Sequence, residues 1–240
     1  MSDTSSALRL RVVCGLLASA ARLVPVPFLD DVLRERALQL LVSRTLRAHG
    51  RTYGSARVSA LYAGDGCLSG CLVALLLWPI ELLLYPIRKI VAWVTAVKRL
   101  AGDLSEAVLL GRTLDRCLAA GRLAPGTDAR ALAAEAARIR AAFANALAGT
   151  DVRLLRGVLT TALRSVSGLP RAAFHALREL RGKSEDADPT GGISAADRRT
   201  VEEGAARIAS ALETPEMRAF FAEFDARFDE NLRIVEQRAA

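Results

Sequence analysis

Along most of the chain apolar residues return every three or four positions, the repeat of a helix with one buried face, and no stretch alternates like a strand. This spacing predicts a first helix over about 7–23, ended by Pro25-Val26-Pro27. A second opens at Asp30 and closes at Gly50, with Leu33, Ala37, Leu40 and Leu41 on one face. A helix through Trp93 and Val97 reaches about Leu100, where Gly102-Asp103 reads as a break, with Asp103 or Ser105 capping the next helix as far as Gly121. Later starts are marked at Thr127-Asp128, Thr150-Asp151, Pro170, Ser194 and Thr214-Pro215. Short loops between amphipathic helices predict an all-α, multi-helix antiparallel bundle.

One stretch departs from this amphipathic pattern. Gly66 to Ile87, GCLSGCLVALLLWPIELLLYPI, is 22 residues with a single charge, Glu81. As a straight helix it would reach roughly 33 Å, enough to cross a hydrocarbon core. Pro79 and Pro86 divide it, and each piece alone is short for a span. Basic residues flank both sides: Arg47, Arg51 and Arg57 before, and Arg88, Lys89, Lys98 and Arg99 after. A single crossing would leave one basic flank on the disfavoured side, so the pattern predicts a hydrophobic helical hairpin that enters and leaves by one face. Its expected membrane contacts are Leu72, Leu75, Leu76, Trp78, Leu83, Tyr85, Arg88, Lys89 and Trp93. Trp78, Tyr85 and Trp93 suit a headgroup layer, and suit equally the core of a soluble bundle in which 66–87 is the central helix.

Charge changes the picture only when it is divided along the chain. Residues 1–182 hold 25 Lys and Arg against 13 Asp and Glu, a net of +12, whereas 183–240 hold 8 against 13, a net of −5. A basic body suits an anionic lipid surface or an acidic partner, or is simply a solvated helical surface rich in arginine. The domain pattern expected is a basic helical body over 1–182 with apolar segments 12–28 and 66–87, a linker at 183–193, and an acidic C-terminal helical hairpin over 194–240. The last helix carries the cleanest stripe, including Phe220, Phe221, Phe224 and Phe228. This stripe either packs on the preceding helix and the bundle or docks in the groove of a partner, and the second role makes these four phenylalanines candidate partner-binding residues.

An apolar helix, a Pro-x-Pro break followed by an acid (Pro25, Pro27, Asp30), and a helix ending in Arg51-Thr52-Tyr53-Gly54 resemble the EcsC-type bacterial membrane-associated helical domains over about residues 7–54. The resemblance implies membrane association without a catalytic residue set; the acidic C-terminal section departs from that pattern.

No chemistry-bearing motif accompanies these features. Cys14, Cys67, Cys71 and Cys117 have neither disulfide-framework nor C-x-x-C spacing, and Cys67 and Cys71 lack a neighbouring His or acid to complete a zinc site. Close helix packing, or lipidation of Cys67, accounts for that pair. His49 and His175 stand beside no serine or cysteine nucleophile, and Gly191-Gly192 lacks the ending of a phosphate loop. The arginines are scattered without a nucleic-acid-binding motif. The start of the chain does not read as a cleaved export signal, since Arg22 interrupts the first apolar run and no small-residue cleavage site follows. The expectation is a non-enzymatic scaffold or adaptor with no cofactor, metal, nucleic acid or small-molecule substrate. It would sit on the cytoplasmic face of the inner membrane, with anionic lipid as one partner and a protein partner or a second copy bound through the C-terminal helices. The alternative is a cytoplasmic all-α interaction module.

Overall fold

The computed structural model describes residues 2–21, 29–63, 85–180, 183–184 and 188–239, with backbone alone for 2–7, 29–30 and 85–99. Among the described residues there are eight α-helices, one 3₁₀ helix and no strand, the all-α bundle expected from the apolar spacing. The α-helices are α1 (Ser2–Ala20), α2 (Leu29–Ala48), α3 (Tyr85–Ala119), α4 (Ala129–Ala148), α5 (Arg153–Arg164), α6 (Leu169–Glu179), α7 (Ala195–Leu212) and α8 (Pro215–Ala239); the 3₁₀ helix is Ser55–Leu61.

The helix at the centre is α1. It packs against α2, α3, α6 and α7 at once, and Val12, Cys14, Leu17, Ala20 and Ala21 are fully buried. Its approach to α3 is close because position 15 is glycine: a Cβ there would stand 2.8 Å from Leu104 Cδ1 and 3.2 Å from Ala107 Cβ. This corrects the bilayer role expected of segment 12–28 for residues 12–21, whose apolar side chains are enclosed by protein. The remainder of that segment, 22–28, lies outside the described residues.

Helix α3 runs unbroken through Gly102-Asp103, where the sequence predicts a break. Its second half is internal: Leu100, Ala101, Leu104, Ala107, Val108, Leu110 and Leu114 are all buried. Gly costs a helix about 1 kcal/mol relative to Ala, less than burying a single leucine yields at roughly 1.5–3 kcal/mol, so packing overrides the local signal. Ser105 does not cap; its hydroxyl donates to the carbonyl of Ala101 (2.6 Å) inside the helix.

Three other caps match their sequence signals, whereas α2 begins at Leu29 and takes in Asp30, expected to cap it. Asp128 accepts from the backbone N–H groups of Arg130 (2.9 Å) and Ala131 (3.4 Å), Ser194 from that of Asp197 (3.1 Å), and Thr214 from that of Met217 (3.4 Å). Helix α6 has Pro170 in its first turn and follows Gly168, whose φ of 77° favours glycine.

The C-terminal helices do not form a hairpin on each other. Helix α7 packs on α1, α5 and α6, whereas α8 lies along α4, and the two touch each other little. Nor do the described residues of 183–193 hang free. Pro189 and Thr190 are buried, the Lys183 ammonium donates to the Gly191 carbonyl (2.6 Å), and Arg36 donates to the Lys183 carbonyl.

Candidate functional site

Of the expected membrane contacts, Leu72, Leu75, Leu76, Trp78 and Leu83 lie outside the described residues, as does the helical hairpin they would form. Tyr85, Arg88, Lys89 and Trp93 are placed by backbone only, in the first nine residues of α3. Among the described residues no helix is long and apolar enough to cross a membrane.

The expected partner-binding phenylalanines are inside. Phe224 and Phe228 are 0% and 2% exposed, Phe220 and Phe221 are 8% and 7%, and Phe224 meets Phe143 of α4 edge-to-face with centroids 6.0 Å apart. A stripe already covered by α4 has no face left for a partner. The stripe packs on α4 and not on the preceding helix, which corrects that part of the packing reading, and its burial leaves the docking role no open face.

The acidic tail also has an internal use. Asp225, only 9% exposed, receives Nε and Nη2 of Arg112 at 3.2 and 2.7 Å, while Nη1 of Arg116 approaches it at 3.3 Å. Arg116 also donates to Asp229 (2.8 Å), and Arg122 to Glu236 (2.6 Å). The Arg112 guanidinium lies over the Phe221 ring, 4.9 Å from its centroid. Partners ascend together, 112 with 225 and 116 with 229 on the two helices and 122, just past the end of α3, with 236, so α3 and α8 run in the same direction. The i, i+4 spacing of Arg112 and Arg116, repeated by Asp225 and Asp229, is the sequence signal for this pairing. It becomes informative only once the two helices are known to be neighbours.

Two further ionic joints tie other helices together. Glu106 of α3 accepts from Arg34 of α2 (2.7 Å) and Arg140 of α4 (3.2 Å). Asp115 of α3 joins Arg11 of α1 (3.1 Å) to His49 (2.9 Å), which follows α2. Burial lowers the pKa of Arg11, opposed by the attraction of Asp115. The Arg51–Gly54 element clamps the end of α3. Arg51 donates to the carbonyls of Leu118 (3.4 Å) and Arg122 (3.1 Å), and the Tyr53 hydroxyl to that of Leu123 (2.8 Å).

His175 of α6 is bonded through Nδ1 to Asp197 (3.0 Å), which also accepts from the Ser194 hydroxyl (3.0 Å). The carboxylate lies between the serine and the imidazole, so the imidazole does not reach the hydroxyl as a general base must. Hydrogen bonds from His175 and then Ser194 hold the Asp197 carboxyl below its usual range. The group is a helix cap tied to the neighbouring helix.

Burial pushes the Cys14 thiol up to about 12 and the Cys117 thiol up to about 11, which removes both as nucleophiles near neutral pH. Among the described residues no three His, Cys, Asp or Glu side chains gather as a metal site would require.

One exposed basic surface was not evident from the apolar spacing. From Val152 to Arg178 the chain carries five arginines, 153, 156, 164, 171 and 178, and no Asp or Glu. All five are exposed. Beside those of α5, α5 and α7 bound an open groove of about 710 Å³ whose walls include Arg153, Leu154, Val158, Thr161, Ala162 and Ala211. Leu154, 48% exposed, is one of the few large apolar side chains left in water among the described residues. The absence of acids over this stretch could have been read in the sequence; the groove required the position of α7.

No family model, curated protein or solved structure matches the chain.

Proposed function

We propose that this protein is a non-enzymatic helical module held at an anionic membrane surface, on the cytoplasmic face of the inner membrane, by the apolar and basic segment that leads into α3. The observation that carries this reading is the continuity of α3, Tyr85–Ala119, 35 residues and so about 52 Å. Its second half is embedded in the core from Leu100 onward. Its first half carries Arg88, Lys89, Lys98 and Arg99, directly after the run 66–87. Whatever holds the first half therefore holds the folded body through a rigid connection. Each basic residue near an anionic surface contributes about 1 kcal/mol at low salt, so these four together supply about 4 kcal/mol. The likeness of 7–54 to EcsC-type domains points the same way.

The test is sedimentation of the full chain with vesicles of phosphatidylcholine alone and of phosphatidylcholine with phosphatidylglycerol. Binding to the anionic vesicles, released by salt if peripheral and only by detergent if 66–87 is embedded, supports the reading. A chain that stays in the supernatant with both compositions refutes it.

One observation favours the second reading, a soluble all-α interaction module. Residues 12–21, the described part of the first apolar segment, serve as core. If 66–87 is used in the same way, the protein will fractionate as a monodisperse soluble species without detergent.

A further inference from the structure

We infer that the groove between α5 and α7 is a docking site for an acidic amphipathic helix of a partner protein. This inference is independent of membrane attachment. On α5, at about 100° per residue, the buried side is formed by Leu155, Leu159, Ala162 and Leu163, which seat the helix on the body. The outer side has two parts. Arg156, Arg153 and Arg164 fall within an arc of about 80°, and the next 100° or so holds Gly157, Thr161, Leu154 and Val158, which face the groove. Helix α5 thus presents a basic stripe beside an apolar shoulder, and α7 closes the far side with Arg207 and Ala211.

Shape and charge select the occupant. The groove is open, its lining includes the small residues Gly157, Ala162, Ser165 and Ala211, and a Cβ added at Gly157 would meet nothing within 4 Å. Small residues let a second helix lie close, whereas a flat lipid surface is met by protruding side chains. The 12 residues of α5 offer about 18 Å of wall, matching about three turns of a partner helix with apolar anchors at i, i+3, i+4 and i+7. Arg153 pairs only with exposed Asp151 (3.2 Å), and Arg207 with Glu203 (2.8 Å) one turn away on its own helix. The guanidinium groups of Arg156, Arg164 and Arg178 make no ion pair or hydrogen bond among the described residues. Arg153 and Arg207 line the groove and exposed Arg164 falls beside Gly157 on α5, so the rim attracts glutamates and repels a basic helix.

The probe is a fluorescein-labelled 14-residue designed peptide with leucines at helical spacing and glutamates on both flanks. It is compared, by anisotropy with the full chain at about 0.1 M salt, with a scrambled peptide of equal composition and one carrying lysine for glutamate. The ordered acidic peptide is expected to bind at least about tenfold tighter than either control. Leu154→Asp and the double variant Arg156→Glu/Arg164→Glu should each weaken it at least about tenfold. All three positions are exposed, and an unchanged circular dichroism melt verifies that these variants stay folded. Equal binding of ordered and scrambled peptides, or unchanged affinity in both variants, overturns the inference. So does loss of binding to phosphatidylglycerol vesicles in Leu154→Asp with peptide affinity unchanged, which would assign the groove to lipid. Failure of the vesicle experiment above leaves this result untouched.

Discussion

Removing the Asp225 carboxylate is the sharpest test of how the acidic tail is used. The group is 9% exposed and holds two guanidinium groups. Deleting one partner of a buried ion pair costs 3–5 kcal/mol when the other charge is left stranded. Here the stranding is partial. Arg112 and Arg116 are 37% and 36% exposed in their side chains, Arg116 keeps Asp229, and Arg112 keeps its place over Phe221. Water reaches both, so the loss should approach that of charge-assisted hydrogen bonds, about 1.5–3 kcal/mol for Asp225→Ala. For a chain of this length that is a fall in melting temperature of about 3–12 °C. Urea denaturation of the wild type, Asp225→Ala, Arg112→Ala and the double variant closes a cycle whose coupling should exceed about 0.5 kcal/mol. Because the acceptor is buried, the effect should persist at about 1 M salt. The exposed pair Arg207–Glu203, 50% and 56% exposed in its side chains, should lose its small contribution there. A coupling indistinguishable from zero, or an Asp225→Ala cost below about 0.5 kcal/mol, would refute the account of α8 as tied to α3.

Gly204→Ala should destabilise although alanine favours a helix by about 1 kcal/mol, because its Cβ would stand 2.5 and 2.6 Å from the two Cδ atoms of buried Leu169. Overpacking costs about 1–3 kcal/mol, so the net change in urea melts is a loss of up to about 2 kcal/mol; a gain would contradict the α6–α7 contact. The depressed pKa of Asp197, caused by its bonds from His175 and Ser194, predicts a pH-dependent contribution to stability. A carboxyl with a folded pKa below its unfolded value near 4 contributes fully above that value and loses the contribution as pH falls through the folded pKa. Asp197→Asn should flatten the melting-temperature profile in that acid window; identical acid profiles would refute the assignment. In a Cys67→Ser/Cys71→Ser background, Ellman's reagent at about pH 8 should label neither Cys14 nor Cys117 until denaturant is added, since both thiols are buried with pKa values near 12 and 11. Rapid labelling of the native chain would contradict the burial.

Helix existence was legible because it depends on local chemistry. Asp128, Ser194 and Thr214 each do at their helix starts what a short polar side chain ahead of an apolar repeat predicts. The break assigned to Gly102-Asp103 was a local reading that failed, outweighed by the buried side chains before and after it. The 3₁₀ helix at Ser55–Leu61 has no side-chain cap, and its buried Ser55, Val58 and Leu61 repeat every three residues over too short a run to stand out in the sequence. The candidate groove was half legible: the acid-free arginine stretch is plain in the sequence, but nothing local to α5 specifies that α7 lies beside it.

The sequence by itself determined the all-α class, most helix starts and the amphipathic faces, since period, caps and turn residues act within a few positions. Only the tertiary structure decided which helix is central, that the aromatic stripe of α8 is spent on α4, and that the tail's acids answer α3's arginines. Those outcomes join residues far apart in the chain, 81 positions for Phe143 and Phe224 and 113 for Arg112 and Asp225, and no local rule reaches that far. The apolar repeat shows that a face must be covered; packing alone selects what covers it.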